Sequence, residues 1–130
     1  MKFLVNSKEL NELIKKTVPA SDITLMSEKV LKDLQKTSSQ IDCIFISYGQ
    51  SSSDKPISTL PLLKRLAAEV PQIPVFVLDI QFSLSHHNEV TDFRNVVGYG
   101  QIGHIVTNRE LEKLIEEIRE REVINKKVIS

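Results

Sequence analysis

The chain has 130 residues, 41% hydrophobic and 26% charged, with 17 basic and 17 acidic side chains. This composition suits one globular domain with room for a core and excludes a disordered chain. The balanced charge supplies no general attraction to nucleic acid or anionic lipid, and the single cysteine excludes an intrachain disulfide and a cysteine-built zinc site. The N-terminal apolar run is too short for a signal peptide, and no run of about 18 apolar residues is present. The expected location is the cytoplasm, without membrane insertion.

In chain order the pattern alternates strand and helix. Lys2–Val5 is a short apolar strand. Ser7 is placed to cap a helix carrying Leu10, Leu13, Ile14 and Val18 on one face, and Pro19 stops it. Asp22–Met26 reads as a second strand, and Ser27 as the cap of a helix with Val30, Leu31 and Leu34 inward. Ile41–Tyr48 is a nearly continuous apolar strand, as expected for a parallel sheet covered on both faces. A polar loop, Gly49–Pro56, precedes a helix with Leu63, Leu66, Ala67 and Val70 at i, i+3, i+4, i+7, ended by Pro71. Ile73–Ile80 is another buried strand. A long polar stretch follows, Gln81–Asn95, in which Val90 and Phe93, with Val97 beyond it, suggest a short helix. His104–Thr107 is a β-branched run read as the last strand, and Asn108 as the cap of a helix with Leu111, Leu114, Ile115 and Ile118 inward.

Five β-α units in alternation predict a three-layer α/β domain, with a parallel five-stranded sheet in the order 2-1-3-4-5. Phe3, Val5, Ile44, Ile46, Val75, Val77, Ile105 and Leu114 are the expected core. No internal repeat or low-complexity tract interrupts the pattern.

Gly98, Gly100 and Gly103 fit the dinucleotide fingerprint G-x-G-x-x-G. That motif must follow a strand and open a helix, whose N-terminus binds the pyrophosphate. Here the third glycine runs into Ile105-Val106-Thr107, a poor helix start, and no second strand with an acidic end follows. The expectation is a glycine-rich loop entering a strand, with no cofactor.

Other chemistry is sparse. His86, His87 and His104 lack metal-ligand spacing and read as solvated loop histidines, so no metal is expected. Ser47, Asp79 and a histidine could be assembled on paper into a triad, but Ser47 lies in "ISYG" and not in the G-x-S-x-G elbow. Cys43 reads as a small core residue. No P-loop pattern occurs, and Lys64-Arg65 and Lys126-Lys127 are too isolated for a nucleic-acid footprint.

"DCIFIS", then "LPLLKRLAAEVPQIPVFVLD", then "GHIVTNRELEKLIEEI" resemble the third to fifth strands and their helices in the receiver domain of two-component response regulators. The resemblance spans residues 1–121 and implies a flavodoxin-like receiver fold. It also implies a phosphoacceptor pocket, whose positions here depart from the family pattern. Asn6 and Ser7 stand where two acidic residues would hold Mg²⁺. Ser47 stands at the phosphoacceptor aspartate, Asp79 at the hydroxyl residue of the fourth strand, and Thr107, with Asn108 after it, at the lysine of the fifth. Clustered carboxylates are what a magnesium site needs, and in-line phosphoryl transfer needs the nucleophile and neutralising cations. The expectation is therefore a non-enzymatic pseudo-receiver that works through a protein partner or as a dimer.

The charged end, "REREVINKKVIS", is similar to the passage from a receiver-like N-terminal domain into the ATPase of pilus-assembly relatives of MinD/ParA. Residues 122–130 are then a linker or the start of that following domain. The resemblance places the partner face on Phe93, Val97 and Tyr99 with the outer side of the last helix. Tyr99, between two glycines, either projects from its loop as an anchor or folds back onto the end of the sheet. The alternative function is a small flavodoxin-like ligand-binding protein or enzyme, with its site at the carboxyl ends of the strands.

Overall fold

The computed structural model describes residues 2–48, 59–103 and 109–117. Five strands form one parallel sheet: β1 Lys2–Val5, β2 Asp22–Leu25, β3 Cys43–Ser47, β4 Val75–Asp79 and β5 Val96–Gln101. Their order is β2-β1-β3-β4-β5, as the alternating pattern predicts. Helices α1 Lys8–Thr17, α2 Glu28–Lys32, α3 Leu34–Thr37, α4 Thr59–Glu69 and α5 Leu84–Thr91 connect them. Residues 110–117 form a further helical stretch, here α6.

Local chemistry accounts for most boundaries. The Ser7 hydroxyl accepts from the Glu9 and Leu10 amides and opens α1, whose last turn carries Lys15 and Lys16 at the negative end of the helix dipole. Ser27 caps α2 through the Val30 amide. The single helix expected there breaks at Asp33, whose ψ of 1° is non-helical, but Leu31 and Leu34 still both face inward.

Successive strand residues point to opposite faces, and each face has its own core. Leu4, Ile44, Ile46, Val75 and Val77 pack with Leu31, Leu34, Leu63, Leu66 and Val90. Phe3, Val5, Phe45, Phe76 and Leu78 pack with Leu10 and Ile14 of α1 and with Leu111 and Ile115 of α6. The sheet is thus sandwiched between helices α2 to α5 on one face and α1 with α6 on the other, which is why its central strands are apolar up to their last residues, Ser47 and Asp79. On the second face Phe3 meets Phe45 edge-on at 5.4 Å between ring centres, and Phe45 meets Phe76 at 6.1 Å. Of the expected core, Phe3, Val5, Ile44, Ile46, Val75 and Val77 are buried and Leu114 is partly buried. Ile105 lies outside the described residues.

The fifth strand differs from expectation. It is Val96–Gln101, and so Gly98 and Gly100 lie within the strand and not in a loop before it. His104–Thr107, read from sequence as that strand, is outside the described residues. Val75 pairs with Val96, but Phe76 pairs with Gly98, leaving Val97 as a bulge residue with an exposed side chain. A bulge on an edge strand twists it away from further pairing. Beyond the bulge, a Cβ on Gly98 would collide with the Phe76 ring. The bulge and the glycine together let β5 lie against a phenylalanine that belongs to the core.

Among the described residues, no helix is long and apolar enough to cross a membrane.

Candidate functional site: the carboxyl edge of the sheet

Parallel strands bring their carboxyl ends to one edge, where open α/β sheets place their ligand crevices. Asn6 and Ser7 follow β1, Ser47 ends β3, and Asp79 ends β4, so the fold gathers there four of the positions singled out from sequence. Thr107 lies outside the described residues. The strand described there, β5, ends at Gln101.

Asn6 and Ser47 are locked together. The Ser47 amide donates to Asn6 Oδ1 at 2.7 Å, and Asn6 Nδ2 donates to the Ser47 carbonyl at 3.1 Å. This bidentate clasp ties the end of β1 to the end of β3. Ser47 is buried, and Ser7 is buried with its hydroxyl occupied by the α1 cap.

Asp79 is 6% exposed and is the centre of a second network. Its Oδ2 accepts from the Tyr99 hydroxyl at 2.7 Å and lies 2.7 Å from His86 Nδ1. Burial pushes the Asp79 carboxyl up, but the bonds from Tyr99 and His86 outweigh it and hold the group below its ordinary range. An ionised carboxylate only accepts, so the imidazole proton sits on Nδ1 and leaves Nε2 unprotonated in the neutral ring. Tyr99 also accepts from the Ser83 amide at 3.1 Å, while the Ser83 side chain caps α5 through the His86 amide.

Tyr48 completes the cluster. Its ring stacks on His86 at 3.9 Å between centres, and its hydroxyl donates to Glu89 Oε2 at 2.9 Å. Burial, reinforced by Glu89, pushes the Tyr48 phenol up to about 12. The cluster therefore sets the Asp79 carboxylate and two protonated phenols around an imidazole of fixed orientation, with Glu89 behind Tyr48. It has the parts of an oriented base. Of the triad drawn on paper, the structure brings Asp79 to His86, while Ser47 ends β3 with its backbone held by Asn6. Among the described residues, no group of three or more potential metal ligands occurs.

His86 was expected on a solvated loop. It is instead on α5, because Ser83 is an N-cap and "LSHHNEVT" is helical. That cap was the available sequence signal for the His86 contact. No comparable signal marked Tyr48 with Glu89, which are brought together across the fold. Tyr99 takes the folded-back arrangement, with its hydroxyl inward. Phe93 is half-buried against the core, and Val97 is exposed on the bulge. Ile80, Phe82 and Leu84, not singled out from sequence, are exposed, and Phe82 meets the Tyr99 ring edge-on at 5.7 Å.

No family model and no curated protein matches the sequence. Among solved structures the chain is similar to RcsB from Salmonella enterica serovar Typhimurium, bound to the promoter rprA in the presence of phosphomimetic BeF₃⁻. The TM-score is 0.68 at 16% identity, over 96% of this chain and 74% of that one. It is similar to a putative pilus assembly-related protein from Burkholderia pseudomallei, with a TM-score of 0.58 at 13% identity, covering 87% of both chains. It is also similar to a response regulator from Burkholderia pseudomallei with a phosphorylated aspartic acid, a calcium ion and citrate, with a TM-score of 0.58 at 14% identity, over 88% of this chain and 74% of that one. At these identities the similarity is one of fold, and it agrees with the strand order: the chain has the flavodoxin-like fold of response-regulator receiver domains.

Proposed function

We propose that the chain is a pseudo-receiver, a non-catalytic module that works by docking to protein. The observation that carries this reading is the commitment of the polar groups at the carboxyl edge. The Asn6 side chain is taken up by the Ser47 backbone, the Ser7 hydroxyl caps α1, and Asp79 is engaged by Tyr99 and His86. Where phosphoryl transfer needs clustered acids beside a carboxylate nucleophile, this edge carries one acid, Asp79, and the side chains of Asn6 and Ser7 are already engaged. Asp79 places a negative charge where a phosphoryl group would arrive. The module is then permanently competent, or regulated by its partner, rather than switched by phosphorylation.

The similarity in fold to a putative pilus assembly-related protein supports a role as the N-terminal domain of a pilus-assembly ATPase of the MinD/ParA type. A G-x-x-x-x-G-K-[ST] motif encoded shortly after residue 130 is the expected finding under that role, and its absence would remove the role.

The test of the docking reading is incubation with acetyl phosphate and Mg²⁺, followed by intact mass measurement. No phosphate adduct is expected. A stoichiometric adduct, at Asp79 or elsewhere, would refute it.

A further inference from the structure

We infer that the groove between α4 and α5 seats the protein partner, and that the partner presents an amphipathic helix from a different chain. The inference rests on the docking reading above and names the docking site and the chemistry that fits it. The groove is open, with a volume of about 550 Å³. Its apolar lining is Leu60, Pro61 and Phe93. Its two rims carry opposite charges, Lys64 on α4 and Glu89 and Asp92 at the end of α5.

The rims do not close on one another. Lys64, Glu89 and Asp92 are all exposed. Among the described residues the ion pairs are Arg65 with Glu28 and Glu69, and His86 with Asp79, so Lys64 pairs with neither acid across the apolar lining. Glu89 accepts from Tyr48 through Oε2, and a carboxylate has a second oxygen to offer a cation. The guest that complements this groove lays apolar side chains over Leu60 and Phe93, turns a base toward α5 and turns an acid toward α4.

The walls decide the form of that guest. An extended peptide pairs its backbone with a sheet edge, but here both walls are helices, whose backbone groups are taken up within each helix away from its ends. A helical guest satisfies its own backbone and presents anchors at i, i+3, i+4 and i+7. A small molecule matches less well, because ligand pockets enclose most of their guest and this groove is open. A second copy has no suitable helix. Among the described residues the exposed large apolar side chains are Leu60, Ile80, Phe82, Leu84 and Val97. Of these only Leu60 and Leu84 are helical, one on each of two helices, so no described helix offers an exposed apolar stripe.

The experiment is titration of the isotope-labelled full chain with synthetic alanine-based helical peptides of about 16 residues, followed through the amide signals. All the peptides carry leucine at i, i+3, i+4 and i+7. One has lysine along one flank and glutamate along the other, a second has lysine on both flanks, and a third has glutamate on both. The mixed peptide should shift Lys64, Asp92 and Phe93 with a dissociation constant of about 100 µM. Either single-sign peptide should bind about threefold to fivefold more weakly. Lys64→Glu makes both rims acidic and should transfer the preference to the all-lysine peptide. Leu60→Ser removes part of the apolar lining without adding charge and should weaken the mixed peptide about fivefold. Both substituted positions are exposed, and far-UV circular dichroism checks that the fold is kept. No shift up to about 1 mM peptide, shifts that map away from the groove, a preference unchanged by Lys64→Glu, or binding indifferent to Leu60→Ser would each overturn the inference. Groove signals that move with protein concentration before any peptide is added would assign the groove to a second copy and overturn it too. The phosphate-adduct assay is independent of these results. A chain that binds no peptide and takes up no phosphate loses this partner alone, whereas an adduct removes the docking reading itself.

Discussion

Gly98→Ala tests why glycines occupy the fifth strand. A Cβ at Gly98 would overlap Phe76 Cε1, stand 2.5 Å from Cζ and 3.0 Å from Cδ1. The ring has little room to yield, because Phe76 is buried against Phe45 within the α1–α6 core. Overpacking of this kind costs about 1–3 kcal/mol. Replacing glycine by alanine also stiffens the unfolded chain, which returns about 0.4–1 kcal/mol. The balance is a loss of about 1–2 kcal/mol, and Tm falls by about 3–10 °C. Urea denaturation with an unchanged m value is the assay. Gly103→Ala is the internal control, since a Cβ there meets nothing within 4 Å. In a Phe76→Ala background the penalty at Gly98 should vanish, because the colliding ring is gone. Wild-type stability for Gly98→Ala, or an equal loss in both backgrounds, would refute the packing argument. A dinucleotide fingerprint makes the opposite demand: both glycines would matter for NAD affinity, and neither through Phe76.

The remaining predictions concern the carboxyl edge. Tyr99→Phe keeps the ring but removes the bond to Asp79 and the acceptor of the Ser83 amide, at an expected cost of about 1.5–3 kcal/mol near pH 7. Because the folded Asp79 carboxyl is held below its ordinary value, its stabilisation is present above about pH 4 and is lost as pH falls through the folded value. The gap between wild type and Tyr99→Phe in urea melts should therefore narrow below about pH 4. A gap of constant size would show that Asp79 is not the group responsible. Asn6→Asp restores an acid where receivers carry one, but a carboxylate has no proton to donate to the Ser47 carbonyl. It should destabilise the chain by about 1–3 kcal/mol, whereas unchanged urea stability would mean that the clasp between β1 and β3 contributes nothing.

The sequence alone determined the layers and the strand order. Runs such as "CIFI" and "VFVL" are apolar at every position, the pattern of a strand covered on both faces. Parallel pairing with short right-handed crossovers then leaves few arrangements, and it sends Asn6, Ser47 and Asp79 to one edge whatever their side chains do. The capping serines Ser7 and Ser27 were equally legible, because a cap is a local hydrogen bond. The fifth strand was not legible. Local preference favours the β-branched "HIVT" over "VVGYGQ", but such preferences are worth fractions of a kcal/mol. A glycine facing Phe76 decides the packing of a whole ring, and no window on the sequence shows that Gly98 and Phe76 are neighbours. The Asp79–His86–Tyr99 network and the Tyr48 stack belong to the same class. Their partners are 7, 20 and 38 positions apart, and they meet only because the sheet register and the Ser83 cap bring β4, α5 and β5 to one edge.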